Sequence, residues 1–132
     1  MANALYPKWK QELIQGTSGT SLTGTLKCTL VDTGTYTYNS AHDFYDDVSG
    51  VVGTPQTIST KTYTNGVLDG DNVTFTAVSG NTVEALILYL DTGSSATSRL
   101  VAYIDSSVTG LPVTPNGGDI TVSWNASGIF AL

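Results

Sequence analysis

The sequence has few of the side chains on which enzymes and disulfide-stabilised scaffolds depend. Among its 132 residues, Cys28 is the only cysteine and His42 is the only histidine. A single cysteine excludes an intrachain disulfide and any zinc cluster built from cysteines. The scarcity of both residues also leaves little for nucleophilic or acid/base chemistry at neutral pH. We therefore predict that the protein is not an enzyme and has no catalytic residue, metal site or cofactor.

Charged residues are also scarce, since Asp, Glu, Lys and Arg make up only 12% of the chain, about half the usual fraction. Nine Asp and two Glu outweigh four Lys and Arg99, which gives a net charge of -6 with no basic cluster. This distribution argues against a nucleic-acid partner. Apolar runs are far shorter than a membrane span requires, and the first residues do not read as a signal peptide. We expect a soluble protein, made in the cytoplasm, with no membrane or nucleic-acid partner.

The residues that are abundant favour strands. Val, Ile, Thr, Tyr, Phe and Trp account for 51 residues, whereas the helix formers Glu and Lys contribute six. Short apolar segments recur along the chain, with turn residues between them. These features predict an all-β, single-domain β-sandwich, jelly-roll-like, with seven or eight short strands.

The strongest strand signals lie in three segments. Thr25 to Val31 alternates, so that Leu26, Cys28 and Leu30 share one face, which makes Cys28 a core residue. The next signal, Val83 to Leu90, is apolar at nearly every position, as in a central strand covered on both faces. A small-residue connection joins it to Leu100 to Asp105, which predicts that these two strands are neighbours.

Weaker patterns complete the prediction. Ser40 to Asp43 has the spacing of a short helix start, and Asn65-Gly66 is a turn signal. Between them, Gln56 to Tyr63 reads as a polar edge strand with Ile58 as its apolar anchor. Near the C-terminus, alternation from Ile120 to Trp124 predicts a further strand.

The N-terminal segment differs in character from the rest of the chain. Pro7 to Gln15 is the one convincing helical stretch, with Pro7 suited to the first turn. The Ser/Thr/Gly-rich segment 16–24 follows and reads as a flexible linker. We therefore predict an N-terminal arm at 1–15, the linker, and a β-sandwich domain at 25–132. The expected partner-binding side chains of this arm are Leu5, Tyr6, Trp9, Leu13 and Ile14.

Two motifs resemble chemical sites. Asp32-Thr33-Gly34 and Asp91-Thr92-Gly93 each carry the Asp-Thr-Gly pattern of aspartic proteases, which need two carboxylates sharing one proton. Neither copy has the supporting downstream segment of that family, so ordinary turns are the favoured interpretation. Asp69-Gly70-Asp71-Asn72 offers oxygens of the kind calcium prefers, but it is too short for a complete calcium loop. A turn is favoured there as well.

The histidine and the tyrosines leave further alternatives. His42 lies near Asp43 and Asp46, but without a nucleophile motif it is interpreted as a helix-start or surface residue. Seven tyrosines and two tryptophans are compatible with a carbohydrate-binding groove as well as with core or interface anchors. The exposure of Tyr36, Tyr38 and Tyr45 distinguishes these interpretations, because a carbohydrate-binding groove needs exposed rings whereas packing anchors are buried.

Several sequence blocks carry a resemblance to a known family. Toward the N-terminus they are Ala4-Leu5-Tyr6-Pro7-Lys8, Leu30-Val31-Asp32-Thr33 and Val73-Thr74-Phe75. The most specific are the C-terminal ones, namely Glu84-Ala85-Leu86 through Asp91-Thr92-Gly93, then Ser98-Arg99-Leu100-Val101-Ala102-Tyr103-Ile104-Asp105, and Gly110-Leu111-Pro112-Val113-Thr114-Pro115-Asn116-Gly117-Gly118-Asp119. In this order they resemble small virion structural proteins of tailed bacteriophages, over nearly the whole chain.

The resemblance implies a capsid decoration, or cement, protein on the outer face of the major capsid shell. Its expected partners are the major capsid protein and further copies of itself, as a dimer or trimer, and its expected location is the virion after synthesis in the bacterial cytoplasm. Two alternatives remain open. One is another virion component, such as a tail-tube, head-completion or fibre-associated protein, and the other is a carbohydrate-binding β-sandwich module.

Overall fold

A computed structural model describes residues 3–132. Strands dominate this part of the chain, as its β-branched and aromatic composition predicts. No helix among the described residues is long and apolar enough to cross a membrane. Within residues 3–132 the elements are β1 (Ala4–Leu5), α1 (Pro7–Ile14), β2 (Leu26–Val31), β3 (Val51–Thr57), β4 (Val67–Leu68), β5 (Val73–Phe75), β6 (Ala85–Leu90), β7 (Arg99–Ile104), β8 (Val108–Thr109), β9 (Ile120–Trp124) and β10 (Phe130–Ala131).

The strands form antiparallel sheets. A five-stranded sheet has the order β1-β7-β6-β2-β3, a three-stranded sheet has the order β5-β9-β8, and β4 pairs with β10 as a two-stranded ribbon. This arrangement confirms the predicted all-β, sandwich-like fold. It does not confirm the jelly roll, because the sheets hold five, three and two strands, whereas a jelly roll has eight strands that form two Greek keys.

The two central strands of the large sheet are buried on both faces. Every residue of β6 is buried, and so is every residue of β7 after Arg99. The two strands pair directly, with Ile87 opposite Tyr103 and Leu88 opposite Ala102. The predictions of a doubly covered strand and of its neighbour are therefore confirmed, and the alternation along β2 likewise places Cys28 in the core.

Each face of the large sheet supports its own apolar cluster. Leu86 and Leu88 of β6 point toward the small sheet, where they join a core with Phe75 and Val122. On the opposite face, the cluster contains six tyrosines and is completed by side chains from the segment 36–48 that follows β2. Its buried members are Tyr6, Val31, Tyr36, Ala85, Ile87, Tyr89, Leu100 and Tyr103, with Tyr38, Tyr45 and Val48 packed against them.

The N-terminal segment is part of this structure, which corrects the prediction of a separate arm. β1 pairs with β7 at the edge of the large sheet, and the Tyr6 amide donates to the Val101 carbonyl at 3.0 Å. Tyr6 is 0% exposed and Trp9 is 1% exposed, each in one of the two clusters. Burial of these two large aromatic side chains holds the segment on its own domain. Residues 1 and 2 of the predicted arm lie outside the described residues.

The predicted flexible linker is also fixed by specific contacts. Thr20 is buried, and its carbonyl accepts a hydrogen bond of 2.9 Å from the Trp9 indole. The Thr20 hydroxyl donates to the carbonyl of Thr17 at 2.7 Å, and the Lys61 ammonium donates to the carbonyl of Leu22 at 2.7 Å. Polar groups of this segment therefore form hydrogen bonds that attach it to the domain. The segment is not a free linker.

The structure changes two local predictions and confirms a third. The short helix expected at Ser40 to Asp43 is replaced by a 3₁₀ turn at Tyr45–Asp47. The polar strand expected from Gln56 begins earlier, as β3, and ends just before the buried Ile58. The turn at Asn65-Gly66 is confirmed, because both residues have positive φ, as the tightest hairpin turns require.

The burial of Trp9 generates the first prediction. Trp9→Ala removes a core side chain together with its hydrogen bond to Thr20, and should lower the free energy of unfolding by about 3–5 kcal/mol. Ile14→Ala, on the same helix but at a position 86% exposed, should change it by no more than about 0.5 kcal/mol. Denaturant unfolding measures both. Equal stability of the two variants would restore the separate arm.

Candidate functional site

The five side chains predicted to bind a partner have different environments. Tyr6 and Trp9 are enclosed in the protein's own core, and Leu5 is half-buried against it. Leu13 is half-buried at the end of α1, whereas Ile14 is 86% exposed. Ile14 therefore does not lie on the side of the helix that buries Trp9. Leu13 and Ile14, at the C-terminal end of the helix, are the members that face outward or line a surface groove.

That groove, called here the apolar groove, has a volume of about 210 Å³. It forms where the end of α1, the segment before β2 and the β4–β10 ribbon meet. The Tyr63 hydroxyl donates to the Leu22 carbonyl at 3.2 Å, and the Leu132 amide donates to the Gly66 carbonyl at 2.9 Å. No charged residue of the described chain lines it. The lining residues are Leu13, Ser21, Leu22, Tyr63, Gly66, Val67, Leu68, Phe130 and Leu132.

A second concavity, the tyrosine cavity, has a volume of about 480 Å³. It lies between the segment after β2 and the segment that follows β7. Its walls combine three tyrosines, three Ser or Thr residues, one proline and two acidic residues. The lining residues are Thr33, Tyr36, Thr37, Tyr38, Glu84, Tyr103, Asp105, Ser106 and Pro112.

A hydrogen-bonded chain runs from the core to this cavity. The hydroxyls of Tyr6 and Tyr36 are 2.7 Å apart, and the Tyr36 hydroxyl is 2.9 Å from Nδ1 of His42. His42 is half-buried and also contacts the Tyr36 ring at 5.6 Å between centroids. The structure gives His42 a buried tyrosine as partner and so explains its position by packing and hydrogen bonding.

Burial dominates the electrostatics of the tyrosine cluster. Removal from water disfavours the phenolate and raises the pKa of Tyr6, Tyr36 and Tyr89 above the usual value. Burial, followed by the charge and hydrogen bond of Asp105, raises the pKa of Tyr103 to about 12. Glu84 adds to this effect at Tyr103. These tyrosine hydroxyls therefore stay neutral at physiological pH.

The aromatics proposed for a carbohydrate groove do not form an exposed platform. Tyr36 is buried, and Tyr38 and Tyr45 are half-buried. Tyr45 stacks on Tyr89 with ring centroids 4.0 Å apart, so one of its faces is occupied within the protein. These rings act mainly as packing anchors for the segment that covers the large sheet.

The two Asp-Thr-Gly motifs lie at opposite ends of a strand pair. Asp32 follows β2 where Val31 pairs with Ala85, whereas Asp91 follows β6 where Leu90 pairs with Leu26. A six-residue strand separates them by roughly 20 Å, so the carboxylates form no dyad. Each closes a turn instead, since Asp32 accepts from the amide two residues on at 2.8 Å and Asp91 does so at 3.1 Å. The interpretation as turns is confirmed.

The acidic turn after β4 is also held internally. Asp69 accepts a hydrogen bond from the Gly70 amide at 2.9 Å, and Asp71 accepts one from the Thr60 hydroxyl at 2.8 Å. Within residues 3–132, no group of three or more His, Cys, Asp or Glu side chains has an arrangement that could hold a metal ion.

The apolar groove and the tyrosine cavity thus differ in chemistry, since the first is lined mainly by apolar side chains and the second by hydroxyls and carboxylates. The groove draws residues from four separate parts of the sequence, which explains why no local pattern revealed it. No protein-family model matches the chain, and no curated protein matches it either.

The buried phenols predict alkaline instability. Because their pKa values are raised in the folded state, their contribution to stability is complete below about pH 10, the value for free tyrosine, and is lost as the pH rises through the folded-state values. Tyr6→Phe removes one such hydroxyl and should make this loss shallower, at a cost of about 1 kcal/mol near neutrality. Tyr63→Phe, outside the cluster and 42% exposed, should leave the slope unchanged. Urea unfolding at a series of alkaline pH values measures how steeply the free energy of unfolding falls with pH. If it falls equally steeply for wild type and Tyr6→Phe, the buried Tyr6 hydroxyl does not cause the alkaline instability.

Proposed function

We propose that the protein is a virion structural protein of a tailed bacteriophage: a capsid decoration, or cement, protein that binds the outer surface of the major capsid shell and stabilises it. The sequence blocks that resemble small phage virion proteins support this proposal. The structural observation that carries it is the concentration of exposed apolar side chains at the apolar groove.

Exposed apolar side chains are not scattered evenly over the described surface. Four large hydrophobic residues are exposed, and two of them, Tyr63 at 42% and Leu132 at 66%, line the groove. A third, Ile14, follows the groove residue Leu13 in sequence and is 86% exposed. Exposed apolar side chains that line one groove mark an interaction surface more often than isolated ones do.

The groove is suited to a protein surface. Its lining side chains are uncharged, so a partner that covers them does not have to remove a charged side chain of the lining from water. The chain as a whole is rich in Thr and Ser and poor in charge, which keeps the desolvation cost of a wider contact low. The occupant to which we assign the groove is an apolar segment on the outer face of the coat protein.

Binding of this kind stabilises a shell by mass action. A ligand that binds the assembled, expanded lattice and not its dissociated subunits shifts the equilibrium toward the lattice, by an amount that grows with its concentration relative to Kd. Dimers or trimers of the protein on a symmetry axis would contact several coat subunits at once and gain avidity. The groove, rather than a detached arm, supplies the contact in this revised mechanism.

Binding to purified, undecorated shells tests the proposal. Leu132→Thr shortens the most exposed apolar side chain that lines the groove and should weaken binding by roughly tenfold, because the apolar area it buries on the partner is lost. Val51→Thr is the matched control, since Val51 is 38% exposed but lies on β3, outside the groove. It should bind as wild type does. Sedimentation with shells gives the affinities, and cryo-microscopy gives the copies bound per capsomer.

Two results would contradict the proposal. Wild-type protein that does not bind shells, or that is found in the particle only at the tail or fibres, overturns the decoration role. Equal losses for Leu132→Thr and Val51→Thr retain shell binding but remove the groove as its site. Thermal disruption of decorated and bare shells then shows whether bound protein stabilises the lattice.

A further inference from the structure

Two walls of the apolar groove are joined by few hydrogen bonds. One wall is the segment 20–24, which carries Leu22 and contains no helix or strand. The other is the loop 61–69, which is closed at its base by reciprocal backbone hydrogen bonds of 3.0 Å. Among the residues that the structure describes, hydrogen bonds between these two walls come only from the side chains of Lys61 and Tyr63. The position of Leu22 across the groove therefore depends on these two side chains.

Lys61 forms the stronger of the two links. Its ammonium donates to the Leu22 carbonyl at 2.7 Å and also to the Gly24 carbonyl, so it holds the segment 20–24 at two points. A charged donor forms hydrogen bonds roughly twice as strong as those of a neutral one. The Tyr63 hydroxyl is an uncharged donor, and its single bond to the Leu22 carbonyl is longer, at 3.2 Å. Lys61 is therefore the main link between the walls.

The structure holds Lys61 in place at a cost. The preceding residue, Thr60, is β-branched yet has a φ of 55°, a left-handed conformation that such residues rarely adopt. Its hydroxyl donates to the Asp71 carboxylate at 2.8 Å, which fixes it there. No carboxylate of residues 3–132 forms an ion pair with the Lys61 ammonium, and removal from water lowers the pKa of this group. Backbone strain persists only where the surrounding structure enforces it, and it concentrates at binding and catalytic sites.

We infer that Lys61 is a positioning residue of the apolar groove, because its ammonium fixes the wall that carries Leu22 and so forms the groove before a partner binds. A wall that is already ordered does not have to lose its conformational freedom on binding. This inference rests on the proposed function for the identity of the partner. The effect of Lys61 on the wall is measured on the free protein, whatever that partner is.

Hydrogen exchange of the full chain tests the effect on the wall. The Trp9 indole is a reporter, because it is 1% exposed and donates to the carbonyl of Thr20 in the segment 20–24. Lys61→Met removes the charge from a side chain of similar length, and should speed exchange of the indole N–H at least about tenfold by local opening of the wall. Amides of β6 should exchange as in wild type, because the central strands keep their own partners.

Two further variants separate the charge from other effects of substitution. Lys61→Arg keeps a cationic donor and should bring indole exchange to within about threefold of the wild-type rate. Lys8→Met is the matched control, since it makes the same substitution at an exposed position that does not line the groove. It should leave the exchange of the Trp9 indole unchanged.

Binding to purified, undecorated shells connects the wall to the proposed function. Lys61→Met should bind shells about tenfold more weakly than wild type, because the partner must then order the wall. Lys61→Arg should recover most of this loss, and Lys8→Met should bind as wild type does.

Four results would overturn the inference. Wild-type indole exchange in Lys61→Met means that the ammonium does not hold the wall. Equal acceleration at Trp9 and throughout β6 means that the whole domain is destabilised, with no specific effect on the groove. Exchange as fast in Lys61→Arg as in Lys61→Met excludes the charge as the cause. Unchanged shell binding by Lys61→Met, despite faster exchange, removes its role in binding.

Failure of the proposed function gives a different pattern. If wild-type protein does not bind shells while indole exchange responds to Lys61→Met as expected, the decoration role is contradicted. The assignment of Lys61 as the residue that positions the wall of the groove then stands, and only the partner changes.

Discussion

The fold depends on one constraint, which is that the central strands β6 and β7 must be covered on both faces. Every residue from Ala85 to Leu90 is buried, so neither face of this strand can be left to water. The small sheet and Trp9 cover one face, and the tyrosines of the segment after β2 cover the other. The N-terminal segment completes both clusters, because Tyr6 belongs to one and Trp9 to the other. A segment that closes two cores at once cannot also be a detachable arm.

Strands whose burial is encoded locally were predictable from the sequence. The apolar run of β6 predicts burial on both faces, and the structure agrees. The alternation of β2 correctly predicts that Leu26, Cys28 and Leu30 are buried, but Thr29 and Val31 are buried too. The sequence of the N-terminal helix does not show what buries its apolar side chains. Trp9 and Leu13 would give the same pattern whether they pack on their own domain or on a neighbouring molecule. The glycine-rich segment after it was equally ambiguous. Only the partners of Trp9 and Thr20 in three dimensions show that both are fixed.

The candidate site was only partly predictable for a related reason. Leu13 is among the predicted partner-binding residues, but the groove that it lines also includes Leu22, Val67 and Phe130, which lie far apart in the sequence. The pairing of β10 with β4 brings the C-terminus to the helix, and no periodicity in either two-residue strand predicts that pairing. Glu84, a lone acidic residue before an apolar strand, gives no sign in the sequence that it lines the tyrosine cavity.

The net negative charge of the chain bears on how closely its copies can pack in the proposed assembly. On the capsid lattice that we propose, copies with a net charge of -6 would repel one another over distances of about a Debye length, roughly 8 Å at physiological salt. The low charge density of the chain would limit this repulsion without abolishing it. A groove lined by uncharged side chains would add an attraction to the proposed coat protein that depends little on salt. Under this proposal, the groove lowers the desolvation cost of assembly and the low charge density limits like-charge repulsion.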